Sequence, residues 1–400
     1  MYSVKSINNI TFERKLSFLK FHKYILLFLF LFVTACKSDK KEEILPNPEA
    51  KQLKLKYAEG FSVTEYEGYK VLTISKPWPK AKKQYKYLLT SSEQLAKMTF
   101  SADVYESVIT NNLERIVVTS TTNIPSLELL DEEKSLVGFP GTDYISSEKT
   151  RALINKGAIR ELGKNDGINT EVLLEINPDV VVGFGIDGIN KTFETIKRAN
   201  IPVIYNGDWV ESSALAKAEW IKFFGVLFNK EREADSIFNT IEKNYIKAKK
   251  IAQKAKNRPT ILSGAMTEDV WHLPNGNSPE AQFLKDANVV YLWEDTSGNG
   301  SLYLSFEAII DKAKDADIWL SPSYYRSLNQ LEKANPLYNN FEAFKNQSVY
   351  SFSNTTGKTG GVLYYELGTA RPDLVLKDII KICHPELLES YTPYFFKPLE

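Results

Sequence analysis

From residue 113 onward, short apolar runs alternate with segments of helical period. Arg115-Ile116-Val117-Val118-Thr119 reads as a buried strand, followed by a Ser/Thr/Asn turn and a helix near 124–131. Further runs stand at 136–139, 180–184 and 202–205, and the alternation resumes at 260–263, 288–292, 317–320 and 348–352. Strands alternating with helices predict βαβ units and mainly parallel sheets. No internal repeat recurs, so the pattern predicts two Rossmann-like α/β lobes rather than a solenoid.

Between the lobes, residues 230–256 contain no Gly or Pro over 27 residues. Ala234, Ile237, Ile241, Tyr245, Ala248, Ile251 and Ala255 recur every three or four positions, with Lys and Glu elsewhere. That predicts one amphipathic helix, ~40 Å long at ~1.5 Å per residue, a stiff spine joining the lobes. Upstream, runs at 61–64 and 70–74 are punctuated by Gly60, Gly68, Pro77 and Pro79, as in small β-hairpins. The expected division is a β-rich appendage at 53–112, a first lobe at 113–229, the spine at 230–256 and a second lobe at 257–400.

The N-terminus has a different pattern. Arg14, Lys15, Lys20 and Lys23 precede an apolar run at 24–33 that ends in Thr34-Ala35-Cys36. A basic flank, a short apolar stretch and small residues describe a secretory signal, too short to span a bilayer core of ~30 Å. The cysteine there resembles the acylated residue of a bacterial lipobox. Residues 1–35 are therefore expected to be a signal peptide, Cys36 a lipidation site anchoring the protein to a membrane, and the polar stretch 36–52 a flexible tether.

Composition narrows the class further. The 400 residues carry 50 Lys+Arg against 50 Asp+Glu, which removes the basic excess expected of a nucleic-acid binder. Removal of the signal leaves 45 basic and 49 acidic residues and one thiol besides Cys36, Cys383, so no disulfide framework is available. His272 and His384 are the only histidines beyond the signal, and no metal-ligand spacing appears; neither a metal nor a resident cofactor is expected. His384 is expected to meet the C-terminal carbonyls of the helix it follows.

Two motifs carry chemistry on paper. Gly183-Phe184-Gly185-Ile186-Asp187-Gly188, with Asp208 downstream, fits a dinucleotide fingerprint, but it follows a late strand of its lobe and reads better as a glycine turn lining a cleft. Ser146-Ser147-Glu148-Lys149, Ser327-Leu328-Asn329 and Lys358-Thr359-Gly360 follow the order of a Ser/Lys acyl-transfer enzyme of the penicillin-binding type, with 181 residues between the first two elements. Aromatic rings in expected loops at strand ends, Tyr144, Trp209, Trp271 and Tyr303 among them, suit a large planar or polycyclic ligand.

Two α/β lobes on one long helix behind a lipobox resemble the class III periplasmic substrate-binding proteins of ABC importers. The resemblance runs from about residue 113 to 386. It is carried by Arg115-Ile116-Val117-Val118, by Asn169-Thr170-Glu171 ahead of Asn177-Pro178-Asp179, by Leu304-Ser305-Phe306-Glu307 ahead of Ala316-Asp317, and by Glu366-Leu367-Gly368-Thr369-Ala370-Arg371-Pro372-Asp373. It implies a non-enzymatic protein that binds an iron-siderophore, cobalamin or haem complex in a cleft between the lobes and delivers it to a permease. Glu171 and Glu307 would dock on permease arginines. The expected ligand contacts are Thr121, Thr122, Asn123, Tyr144, Trp209, Trp271 and Tyr303, with Arg371 for an anionic ligand. A protein-binding surface lipoprotein, acting through the 53–112 segment, is the remaining alternative.

Overall fold

The computed structural model describes residues 50–97, 104–111, 113–165, 167–188 and 190–400. The expected signal, Cys36 and most of the tether lie outside the described residues.

The first structured region is a five-stranded sheet of β1 (Lys51–Gln52), β2 (Phe61–Tyr66), β3 (Tyr69–Ile74), β4 (Tyr85–Thr90) and β5 (Ser107–Thr110), in that order. Its pairs are antiparallel except β4 with β5. Gly68, at φ +84°, supplies the left-handed residue of the two-residue β2–β3 turn. Leu72, Ile74, Tyr87 and Leu89 join the same apolar core as Ile116 and Val181 of the first lobe. The sheet is therefore held by burial against its neighbour rather than by a core of its own.

In the first lobe, β6 (Ile116–Val118), β7 (Leu136–Phe139) and β8 (Arg160–Glu161) are followed by the hairpin β9 (Gly163–Lys164) and β10 (Gly167–Ile168), then β11 (Val180–Gly183) and β12 (Val203–Tyr205). The main sheet is parallel with order β12-β11-β6-β7-β8. Val117, Val118, Val181 and Val182 are wholly buried, as expected of strands covered on both faces. The edge strand β12 is capped from the N-terminal sheet: Tyr205 N–H donates to the Tyr87 hydroxyl at 3.3 Å.

The spine helix runs Glu231–Ala252, 22 residues or ~33 Å at ~1.5 Å per residue, shorter than expected because the chain turns at Gln253–Lys254. Its buried positions are Ala234, Phe238, Ile241, Tyr245, Ala248 and Ala252. Ala234 and Phe238 belong to the first-lobe core, and Tyr245, Ala248 and Ala252 to the second. One helix thus anchors both lobes.

The second lobe contains β13 (Thr260–Ser263), β14 (Ala265–Thr267), β15 (Val270–Pro274), β16 (Val290–Tyr291), β17 (Ser301–Leu304), β18 (Ile318–Leu320), β19 (Val349–Ser351) and β20 (Lys397–Pro398). The sheet β16-β13-β18-β19-β20 is parallel except for β20. The antiparallel meander β14-β15-β17 stands beside it, an element that the alternation of strands and helices does not predict. His384 packs its ring against the neighbouring helix instead of its own: Nε2 lies 3.0 Å from the Ala287 carbonyl, just past the helix Pro279–Asp286.

Candidate functional site: a cleft between the lobes

The carboxyl ends of both parallel sheets face one another, the place where open α/β sheets hold ligands. A cleft of about 940 Å³ lies there, at the upper end of the usual size of ligand sites. The first lobe contributes Trp209–Ser212 and Lys217, and the second contributes Ser263, Gly264, His272 and the 279–284 helix face. Phe352, Tyr364 and Tyr365 add an aromatic side, with Phe352 and Tyr364 stacked at 4.3 Å and 9°.

The second-lobe floor is rigid. Gly264 has φ +79°, and a Cβ there would lie 1.8 Å from the His272 carbonyl oxygen, so only glycine fits. Beneath it, Trp271 and Trp319 stack at 5.5 Å, their indole N–H groups donating to the Ser263 and Gly264 carbonyls at 2.9 and 2.7 Å.

The expected contacts distribute unevenly. Trp209 lines the cleft and is 40% exposed. Trp271 does not face it: with 0% exposure it is part of the second-lobe core, because alternation along β15 turns Trp271 and Leu273 inward. Tyr303 is exposed beside the cleft, edge-on to His272 at 4.9 Å, without lining it. Thr121, Thr122 and Asn123 form a 3-10 turn against which the second-lobe helix Leu363–Leu367 packs. They belong to the seam where the lobes touch. Arg371 is bound by the buried carboxylate of Asp373, Nε and Nη2 donating at 2.8 and 2.9 Å, which satisfies its charge away from the cleft.

Tyr144 also stands at the seam, with its carbonyl against Gly361, where a Cβ would lie 2.2 Å away. The seam itself is polar. Ser146 N–H and Ser147 N–H, at the start of the helix Glu148–Asn155, donate to the Glu366 carboxylate at 2.5 and 2.8 Å. Ser146 Oγ donates to the Gly361 carbonyl at 2.9 Å, and Thr359 Oγ1 to the Asp143 carbonyl at 2.7 Å. Burial pushes the Glu366 carboxyl up to about 7, against the pull of its two N–H donors. On the first-lobe side Asp208 is likewise raised by burial, to about 6, with the Lys217 charge and the Thr122 hydroxyl opposing.

Both paper motifs find structural explanations. A Cβ on Gly183 would lie 2.3 Å from the Phe193 ring, and one on Gly185 2.5 Å from the Trp78 ring. The glycine space is filled by the chain's own aromatics, which leaves no room there for a pyrophosphate. Ser146 and the 358–361 loop do meet, but as the seam. Lys149 pairs with Glu133 at 3.0 Å, and Ser327 caps the helix Leu328–Ala334. Ser146 therefore has no lysine base, and its proton is given to a carbonyl.

Glu171 and Glu307 both stand exposed in the first turns of their helices, Thr170–Ile176 capped by Asn169 and Phe306–Ala313 capped by Ser305. The Glu307 carboxyl is held below its ordinary value by its own backbone N–H and by Ser305. Lys76, Lys80, Lys217, His272, Tyr364 and Tyr365 are cleft residues that sequence reasoning missed. Among the described residues no group of three His, Cys, Asp or Glu side chains converges as a metal site, and no helix is long and apolar enough to cross a membrane.

Comparison with known proteins agrees with this architecture. The sequence model of the periplasmic binding protein family matches residues 116–355. An uncharacterized lipoprotein of Methanocaldococcus jannaschii is 28% identical over 363 residues, covering 86% of this chain and 84% of the relative. A periplasmic heme-binding protein from Pseudomonas aeruginosa superposes with TM-score 0.54 at 16% identity, over 72% of this chain and 98% of that one. A siderophore-binding protein bound to acinetobactin and ferric iron gives 0.51 at 17%, over 68% and 93%. Two α/β lobes on a single spine helix, with a cleft at their facing strand ends, make this chain a member of the periplasmic binding protein family, in its class III form.

Proposed function

We propose that the protein is the extracytoplasmic, lipid-anchored substrate-binding component of an ABC importer, capturing an iron-siderophore, haem or cobalamin-type complex. The observation that carries this reading is the 940 Å³ inter-lobe cleft, lined by the aromatic residues Trp209, Phe352, Tyr364 and Tyr365. Flat rings stack on conjugated or polycyclic cargo, and each aromatic contact contributes ~1 kcal/mol beyond area burial. The Methanocaldococcus relative is described as a lipoprotein, and the two solved structures as heme- and siderophore-binding, which supports anchoring through Cys36 and this cargo class. Glu171 and Glu307 present one exposed carboxylate per lobe, suited to bidentate pairing with permease arginines.

Titration of the soluble protein by tryptophan fluorescence against haemin, ferric siderophores and cobinamide tests the reading. Saturable quenching by one class is expected. Trp209→Ala should weaken that binding ~5- to 10-fold, in line with loss of ~1 kcal/mol of stacking. Unchanged affinity in the folded variant would remove Trp209 from the site.

A further inference from the structure

The chain between β3 and β4 enters the cleft. The Lys76 carbonyl sits over Gly207, where a Cβ would lie 2.2 Å from it, and the Trp78 ring fills the space over Gly185. Trp78 is wedged between Tyr85 and Tyr205 at 5.6 and 5.4 Å. The crevice outside β11 and β12 is thus occupied by the N-terminal sheet, and on that side the wall offered to a ligand is Glu59, Lys76, Pro79 and Lys80.

The charges on this wall are unevenly neutralised. Lys76 pairs with Glu59 at 2.6 Å. Glu211 turns inward, its Oε1 accepting from Glu59 N, Gly60 N and Trp220 Nε1 at 2.8–3.0 Å. Lys80 is exposed, has a left-handed backbone at φ +61°, and makes no ion pair among the described residues. Lys217, across the same end of the cleft, makes no ion pair among the described residues either, although its charge acts on the buried Asp208 carboxyl. Lys80 lines the cleft at the same end as Lys217. Glu280 is the unpaired carboxylate among the lining residues.

We propose that residues 76–80 of the N-terminal sheet form a third wall of the cargo site, and that Lys80 with Lys217 selects cargo bearing carboxylate or catecholate anions over neutral or cationic cargo of similar size. This rests on the cleft being the cargo site. An ammonium that no carboxylate already pairs gains a charge-assisted hydrogen bond when an anion arrives, and a cation of equal size is repelled.

The test is a titration of four probes: haemin with its two propionates, a trianionic ferric tris-catecholate, dicyanocobinamide, and the cationic ferrioxamine B. Wild type should bind an anionic probe best, with affinity falling as salt rises. Lys80→Glu and Lys217→Gln should each weaken it, tenfold or more for the charge reversal. The thermal midpoint should stay unchanged in Lys80→Glu, whose side chain is exposed. Lys217 also acts on the buried Asp208 carboxyl, so its variant is titrated at a temperature where it is fully folded. Equal affinity for the anionic probe in wild type and both variants, or a wild-type preference for ferrioxamine B or cobinamide, overturns the selection proposal and leaves the cargo site intact. Absence of binding by all four probes overturns the cargo-site reading, and this proposal with it.

Discussion

Replacing Glu219 by Ala is expected to destabilise the protein by ~3–5 kcal/mol, the range for breaking a buried ion pair from one side. Glu219 is wholly buried. Its carboxylate accepts from the backbone N–H groups of Lys56, Tyr57 and Ala58 at 2.7–3.0 Å. It also pairs with Lys222 at 3.0 Å, itself 2% exposed, which reaches on to Asp235 of the spine helix at 2.9 Å. The alanine variant strands three N–H donors and half-strands a buried ammonium that also lies 5.0 Å over the Phe238 ring. These groups join the N-terminal sheet, the first lobe and the spine, so the sheet should loosen first. Urea unfolding with Trp78 as a reporter checks this; a loss below ~1 kcal/mol would show that burial alone holds the sheet.

The second large effect is a pH dependence centred on the seam. Glu366 is 2% exposed, and its carboxyl is raised from an ordinary 4.5 to about 7. The folded protein therefore binds this proton more tightly than the unfolded chain does. The associated stabilisation is fully present below pH ~4.5 and is lost as pH rises through about 7. At ~1.4 kcal/mol per pKa unit the cost of the ionised, buried group above neutrality is on the order of 3 kcal/mol. Asp208 acts in the same direction over a lower window, from 3.8 to about 6. The thermal midpoint should fall by several degrees between pH 5 and 8. In Glu366→Ala the fall should shrink across pH ~4.5–7, leaving only the Asp208 part below pH ~6, although the variant is less stable overall because Ser146 and Ser147 N–H lose their acceptor. A midpoint that rises across this window, or a slope unchanged in the variant, contradicts the assignment.

Much of the scaffold was legible because its signals are local. The apolar runs at β6, β7 and β11 read directly as strands, and the period of 230–256 revealed the spine. What escaped depends on long-range fit. Alternation in Val270–Pro274 was present, but only the fold decides which face is covered, so Trp271 was placed in the cleft when it lies under its floor. Gly183 and Gly185 announced close approach without saying what approaches, and the answer, Phe193 and Trp78, lies 10 and 107 residues away in the chain. Glu219 and Lys222 look like an ordinary surface i, i+3 pair until the N-terminal segment covers them. Lys80 carries no sequence signal at all, because its importance comes from a loop seated on Gly207.

The central claim is that cargo lies between the lobes, and a crystal structure of the protein saturated with whichever probe quenches it tests this most directly. The account predicts one cargo molecule in the space bounded by Trp209, Lys80 and Tyr364, with both lobes still seated on the spine helix. Cargo bound on an outer face, with this cleft holding only water, would contradict it.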